Sequence, residues 1–175
     1  RLVKSWEVKD FDQPESARIA NEWLQSKLSK TIEALNGQYD QFRISEALMT
    51  TYKFIWDDFC SWYLEMIKPG YQQPIDATTF GQAIEFFETI LKLTHPFTPF
   101  IAEEIWHLIK ERDEKDCVVV ASWPDAGQVN DEILSGFDLA EEIITGIRNV
   151  RKDKNIANKV AIEFRIKEND ALGRD

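Results

Sequence analysis

The chain has 175 residues, 43% of them hydrophobic and 12% aromatic, which excludes a disordered tract and is enough for a core of its own. Seven glycines are too few for a Gly-rich phosphate loop or a turn-rich all-β fold, and Cys60 and Cys117 are too far apart to suggest a disulfide framework or a zinc motif. The net charge of −10 argues against a surface that binds nucleic acid everywhere, yet residues 148–167 hold seven bases against two acids, directly after a stretch, 128–147, with five acids and no base.

No signal peptide or apolar run of membrane-spanning length occurs, so the expected setting is a reducing cytoplasm without a membrane partner. The start at Arg1 without Met reads as a segment of a longer protein.

Residues 1–13 are polar and aperiodic and read as a linker from a preceding domain. A first helix is expected over about 15–36, entered at Pro14 and left at Gly37, with Ala20, Leu24, Leu28, Ile32 and Leu35 inward. A second, long helix is expected over roughly 42–67. Ile44, Leu48, Thr51, Ile55, Phe59, Trp62 and Met66 form its stripe, and Tyr52, Trp56, Tyr63 and Ile67 widen it, as burial on two sides of a bundle helix requires. Pro69-Gly70 stops it. Asp76 or Thr78 caps a third helix, about 77–94, with Phe80, Ile84, Phe87 and Leu91 inward. A fourth, about 98–111, turns Ile101, Ile105 and Leu108 inward. "RDEKD" is a charged turn, "CVVVASWP" a strand or extended segment. A fifth helix covers about 129–151, and "KVAIEFRIK" alternates with period two, as a half-buried strand does. The expected fold is mainly α: a helical bundle over 14–115 and a small α/β element over 116–175 at the C-terminal end.

Between the third and fourth helices stands "LTHPFTPFIAEEIW", residues 93–106. Pro96 and Pro99 disfavour helix at the residues before them, so the third helix is expected to end near Thr94 and the chain to turn here. Thr98 is placed to cap the fourth helix, Phe97 and Phe100 to pack across the corner, and Glu103 and Glu104 to meet the helix dipole or a base. His95 reads as a ring that satisfies backbone groups freed at the break. His107 is the only other histidine, and no nucleophile–base constellation follows from the spacing, so no catalytic residue is assigned. Trp56, Trp62, Tyr63 and Trp106 read as core, and Cys60 as a buried free thiol.

The same elbow carries a resemblance. "HPFTPFIAEEIW" resembles the "HPFMPFITEEIW"-like segment of class I aminoacyl-tRNA synthetases of the valine, isoleucine and leucine group. "FIWDDFCSWYLEMIKP" (54–69), "ASWP" (121–124) and "IRNVRKDKNIANK" (147–159) resemble further family segments in the same order. His95-Pro96 and Phe59-Cys60-x-Trp62-Tyr63 resemble the valyl-tRNA synthetase family most. Ala102 stands where Thr is usual, and "NEWLQSKL" matches a family "D-R-W-x-x-S-x-L" only in part, with Asn21 and Glu22 in place of its first two residues. The similarity spans about residues 15–167.

The resemblance implies an anticodon-binding-type helical bundle followed by the start of the next C-terminal segment. It implies the anticodon stem-loop of tRNA and the parent's catalytic core as partners, with no DNA, in a monomer. The family's ATP-binding HIGH and KMSKS motifs are absent from this sequence. ATP and Mg are therefore expected on the parent's catalytic core, with no cofactor and no metal here. Splayed anticodon bases stack on aromatic or Arg planes. That makes Tyr39, Gln41, Phe42, Arg43 and Lys53 candidates around the turn between the first two helices; the alternative is a buried Tyr or Phe beside a solvated Arg. Arg148, Arg151, Lys152 and Lys154 are candidates for tRNA backbone contact or for docking on the core; the alternative is pairing with Glu141 and Glu142. A packing domain with little tRNA affinity of its own is the rival function.

Overall fold

In the computed structural model, which describes residues 6–157, 160–163 and 165, a short strand β1 (Val8–Lys9) precedes α1 (Glu15–Asp40) and α2 (Ile44–Lys53). α2 runs on into a π-helical segment (Phe54–Tyr63) and a last turn, α3 (Leu64–Met66). Strand β2 (Ile75–Asp76), α4 (Ala77–Thr94), α5 (Pro99–Ile109), a 3-10 turn (Val118–Val120) and α6 (Asp131–Asp153) follow. No helix among the described residues is long and apolar enough to cross a membrane. The fold is mainly α, as expected. The chain divides into two units, Arg1–Gly136 and Phe137–Asp175.

α1 buries Ala20, Leu24, Leu28, Ile32 and Leu35, the spacing read from the sequence, with Trp23 also fully buried. It does not stop at Gly37. It continues to Asp40 and ends where Phe42 takes a left-handed conformation, φ 56°.

The second helix departs from expectation in its inward face. Leu64 N–H donates to the carbonyl of Phe59, five residues back, and the Ser61 hydroxyl donates to the Trp56 carbonyl at 2.7 Å. This i→i+5 pattern retards the helix by about one residue per turn relative to an α-helix. The buried positions therefore run Ala47, Thr51, Phe54, then step by five to Phe59, Tyr63 and Ile67. The predicted stripe is displaced: Ile44, Leu48, Tyr52 and Trp56 are exposed, and so is Cys60. Phe59 stacks on Phe87 of α4 at 6.0 Å between centroids, and Tyr63 meets Phe86 edge-on at 5.5 Å. α4 accordingly turns Thr79, Ala83, Phe86 and Ile90 inward; of the predicted Phe80, Ile84, Phe87 and Leu91 row, Leu91 is buried as expected and the other three, one residue off, are half-buried.

A buried polar chain joins these helices. The Tyr63 hydroxyl donates to Asn21 Oδ1 at 2.6 Å, Asn21 Nδ2 donates to Gln82 Oε1, and Gln13 Nε2 donates to Gln82 Oε1 and Thr79 Oγ1. Asp76, buried, caps α4 by accepting from Thr79 N–H at 2.7 Å. The residues expected to be linker enter the fold here: β1 pairs in parallel with β2, Val8 opposite Ile75.

The elbow is present, with different contacts. Thr98 occupies the N-cap position of α5, but its hydroxyl donates back to the Thr94 carbonyl at 3.3 Å instead of capping. His95 Nε2 lies 3.4 Å from Glu103 Oε1, across the corner, rather than on backbone groups. Phe100 is 90% exposed and Phe97 half-buried. α5 buries Ala102 and Trp106, while Ile101 and Leu108 face out. Trp106 packs with Leu91, Ala102 and Val118 in a hydrophobic cluster of its own.

"RDEKD" is more than a charged turn. The Arg112 guanidinium lies 3.7 Å over the Trp106 ring and pairs with Glu88 and Asp116. "CVVVASWP" forms the 3-10 turn and then an extended strap, not a strand. Trp123 Nε1 donates to Asn36 Oδ1 (2.8 Å), Gly127 N–H to Ser29 Oγ (3.1 Å) and Asn130 N–H to Ser26 Oγ (3.1 Å), so the strap runs antiparallel along α1. A Cβ at Gly127 would sit 3.1 Å from Gln25 Nε2 and 3.2 Å from Ser29 Oγ, so the close approach favours glycine. Asn130 caps α6 by accepting from Glu132 and Ile133 N–H. Of the strand expected over 159–167, Lys159, Phe164, Ile166 and Lys167 lie outside the described residues, and Val160–Glu163 and Arg165 carry no strand.

Tyr63→Phe leaves Asn21 Oδ1 buried without its donor, so unfolding in urea is expected to show a loss of about 1–3 kcal/mol. The Asp116 carboxyl is held below the usual carboxylate range by its hydrogen bond from Arg112, with a further one from Trp106. A lowered folded pKa contributes stability above the unfolded value, about 4, that disappears as pH falls through the folded value. The urea midpoint is expected to fall as pH drops below about 4, and Asp116→Asn to flatten that part of the profile.

Candidate nucleic-acid interface

The turn between α1 and α2 is built by two backbone hydrogen bonds. Arg43 N–H donates to the Gln38 carbonyl at 2.8 Å and Phe42 N–H to the Tyr39 carbonyl at 3.0 Å, with Phe42 in the left-handed position between them. α6 ends on the same pattern, Ile156 N–H to Arg151 and Asn155 N–H to Lys152, with Asn155 at φ 52°. Asparagine tolerates that conformation; a phenylalanine there is strained by roughly 1–2 kcal/mol. Phe42 is also 88% exposed, so no burial offsets the strain.

From this turn an aromatic and apolar row runs along the outer side of α2. Ile44, Leu48, Tyr52 and Trp56 follow at four-residue steps and are 46–58% exposed. The Tyr52 and Trp56 rings stack, 6.3 Å between centroids and 5° from parallel. Gln41, Arg43 and Lys53 are exposed at the two ends of the row, Arg43 3.5 Å from Glu46. Flat rings with basic side chains beside them offer stacking surfaces and phosphate contacts. The row lies opposite the buried Ala47, Thr51 and Phe54, which is why Tyr52 and Trp56, expected in the core, are on this surface.

Tyr39 does not join the row. Its ring meets Trp123 edge-on at 5.5 Å, and its hydroxyl is buried with no hydrogen-bond partner among the described residues. Burial pushes its pKa up. Tyr39 is half-buried where the strap packs against α1.

The second basic set belongs to the unit Phe137–Asp175. The Arg151 guanidinium donates to the carbonyls of Ala157 and Val160, both at 2.9 Å, and so latches the chain that follows α6. Arg148, Lys152 and Lys154 are exposed.

The sequence family described as "Anticodon-binding domain of tRNA ligase" matches residues 21–166. The chain is 46% identical over 171 residues to a valine–tRNA ligase of Christiangramia forsetii, covering 97% of the chain and 20% of that relative. It is 48% identical over 166 residues to the valine–tRNA ligase of Phocaeicola vulgatus, covering 95% and 19%. It is 34% identical over 173 residues to that of Enterococcus faecalis, covering 96% and 19%. The chain thus spans about a fifth of the length of these curated relatives.

Phe42→Gly removes the left-handed strain but adds chain entropy of about 0.5–1 kcal/mol in the unfolded state. The two nearly cancel, so the urea unfolding free energy is expected to stay within about 1 kcal/mol of the parent.

Proposed function

Since the chain belongs to the family of anticodon-binding domains of tRNA ligases, we propose that it supplies tRNA affinity and anticodon readout to a longer valine–tRNA ligase. The observation that carries this reading is the exposed row of Phe42, Tyr52 and Trp56 with Gln41, Arg43 and Lys53 beside it. The anticodon stem-loop presents unstacked bases, and the row presents aromatic rings and cationic side chains to receive them. Arg148, Lys152 and Lys154 hold tRNA phosphates. ATP and Mg bind the catalytic core outside this segment, and the segment itself takes no part in the chemical step. The protein works as a cytoplasmic monomer.

A second reading is favoured by the outer side of α5, where Phe100, Ile101 and Leu108 are 51–90% exposed. In that reading the domain packs against the parent's core and has little affinity for free tRNA.

Titration of the chain against a valine-tRNA anticodon stem-loop and a mismatched-anticodon control, at low and physiological salt, separates the two. Preference for the valine anticodon that survives salt is expected. Trp56→Ala and Phe42→Gly each weaken it by about 1–3 kcal/mol, roughly 5- to 150-fold. Lys152→Ala leaves the preference intact and reduces the salt slope by about 0.7 for each phosphate that is no longer neutralised. Absence of binding at either salt supports the packing reading.

A further inference from the structure

Glu103, His107 and Cys117 each place a ligand atom within 4.8 Å of the other two. We propose that they form a zinc-binding site, with solvent as the fourth ligand.

The site is prepared by the elbow corner. Glu103 and His107 are four residues apart on α5 and so share one side of the helix. Cys117 reaches that side because the residues before and after it are tied to α5. Trp106 Nε1 donates to the Asp116 carbonyl at 3.0 Å, and Val118 N–H and Val119 N–H donate to the two Glu103 carboxylate oxygens at 3.0 and 2.8 Å. Val118 is buried against Trp106. The thiol is therefore bracketed by contacts to the same helix turn that carries the other two ligands.

Glu103 is held from a third side by His95 Nε2 at 3.4 Å. Oε1 accepts the Val119 N–H and faces His95, while Oε2 accepts only the Val118 N–H and keeps a lone pair for a metal. Such outer contacts orient a ligand before the ion arrives.

The donor set selects the ion. One imidazole, one thiolate and one carboxylate suit Zn²⁺, which takes N, S and O ligands in tetrahedral geometry at about 2.0–2.3 Å. Hard oxygen-seeking ions disfavour the thiol. Three protein ligands and a solvent molecule match His107, which is exposed. Binding deprotonates the Cys117 thiol and joins α5 to the 117–120 turn. No metal motif is visible in the sequence because Cys117 enters through a loop and not through a helical or C-x-x-C spacing.

The test uses the 175-residue chain, stripped with chelator. Zn²⁺ is titrated in competition with a chromophoric chelator, and Co²⁺ is used as a spectroscopic probe. The expected result is saturable one-to-one binding, a tetrahedral Co²⁺ spectrum with a thiolate charge-transfer band, and a thermal midpoint that rises with Zn²⁺. Cys117→Ser and His107→Ala are each expected to weaken binding by more than the ~10–100-fold that removal of an outer partner brings. His107 is a surface position, so its variant folds even if the Cys117 variant does not, and Cys60→Ser is expected to bind as the parent does. Absence of saturable binding, a Co²⁺ spectrum without the thiolate band, or abolished binding in Cys60→Ser but not in Cys117→Ser would overturn the proposal.

Discussion

A five-residue hydrogen-bond step in the middle of one helix sets which faces of the molecule are core and which are surface. Through Phe54–Tyr63 the backbone bonds run i→i+5, as the Leu64–Phe59 contact shows. π-turns are poorer than α-turns in isolation, so this one persists because of what it aligns. It brings Phe59 onto Phe87, Tyr63 onto Phe86, and the Tyr63 hydroxyl onto Asn21. On the opposite side of the same helix Tyr52 and Trp56 stay outside, stacked on each other. The packing of α4 against Phe59 and Tyr63 is the consequence of this one backbone irregularity.

Under the proposed function, the row is what lets a chain of net charge −10 meet RNA. Phosphate attraction sums over the field of the whole surface and is screened beyond about 8 Å at physiological ionic strength. Stacking acts at contact and does not depend on the distant acids. In that proposal, binding concentrated on rings, with Arg43 and Lys53 adjacent, leaves the rest of the surface free to stay acidic.

The second organising point is Trp106. Its ring is buried with Leu91, Ala102 and Val118 and is covered by Arg112, while its indole N–H holds the chain at Asp116. This one side chain fixes the return of the chain from α5 to the strap. From there Trp123, Gly127 and Asn130 attach to polar side chains of α1, two of which, Ser26 and Ser29, are buried. Serines inside a helix core position satisfy the strap's backbone N–H groups, which have no β-partner there.

Local chemistry dictates much of the fold. The α1 face, the bounds of α4, the Asp76 cap and the Pro96–Pro99 elbow follow from spacing and from proline geometry, which act within a few residues. The ordered segments that resemble tRNA-ligase sequences are likewise visible in the chain. The inward faces of α2, α4 and α5 are so only in part: Thr51, Phe59 and Leu91 are buried as expected, Leu48, Ile101 and Leu108 are not. An apolar residue is equally apolar on either side of a helix, and the side that is buried depends on the partner helix and on the π-step. Phe42 and Arg43 are legible as an aromatic beside a base at a helix end. Tyr39 reads the same way but lies under Trp123, and Tyr52 and Trp56 read as core but lie outside it. The burial of Arg112, the role of Asn21 and the approach of Cys117 to Glu103 and His107 join residues distant in sequence. Only the tertiary structure decides such contacts, because no local preference encodes which segment will cover which.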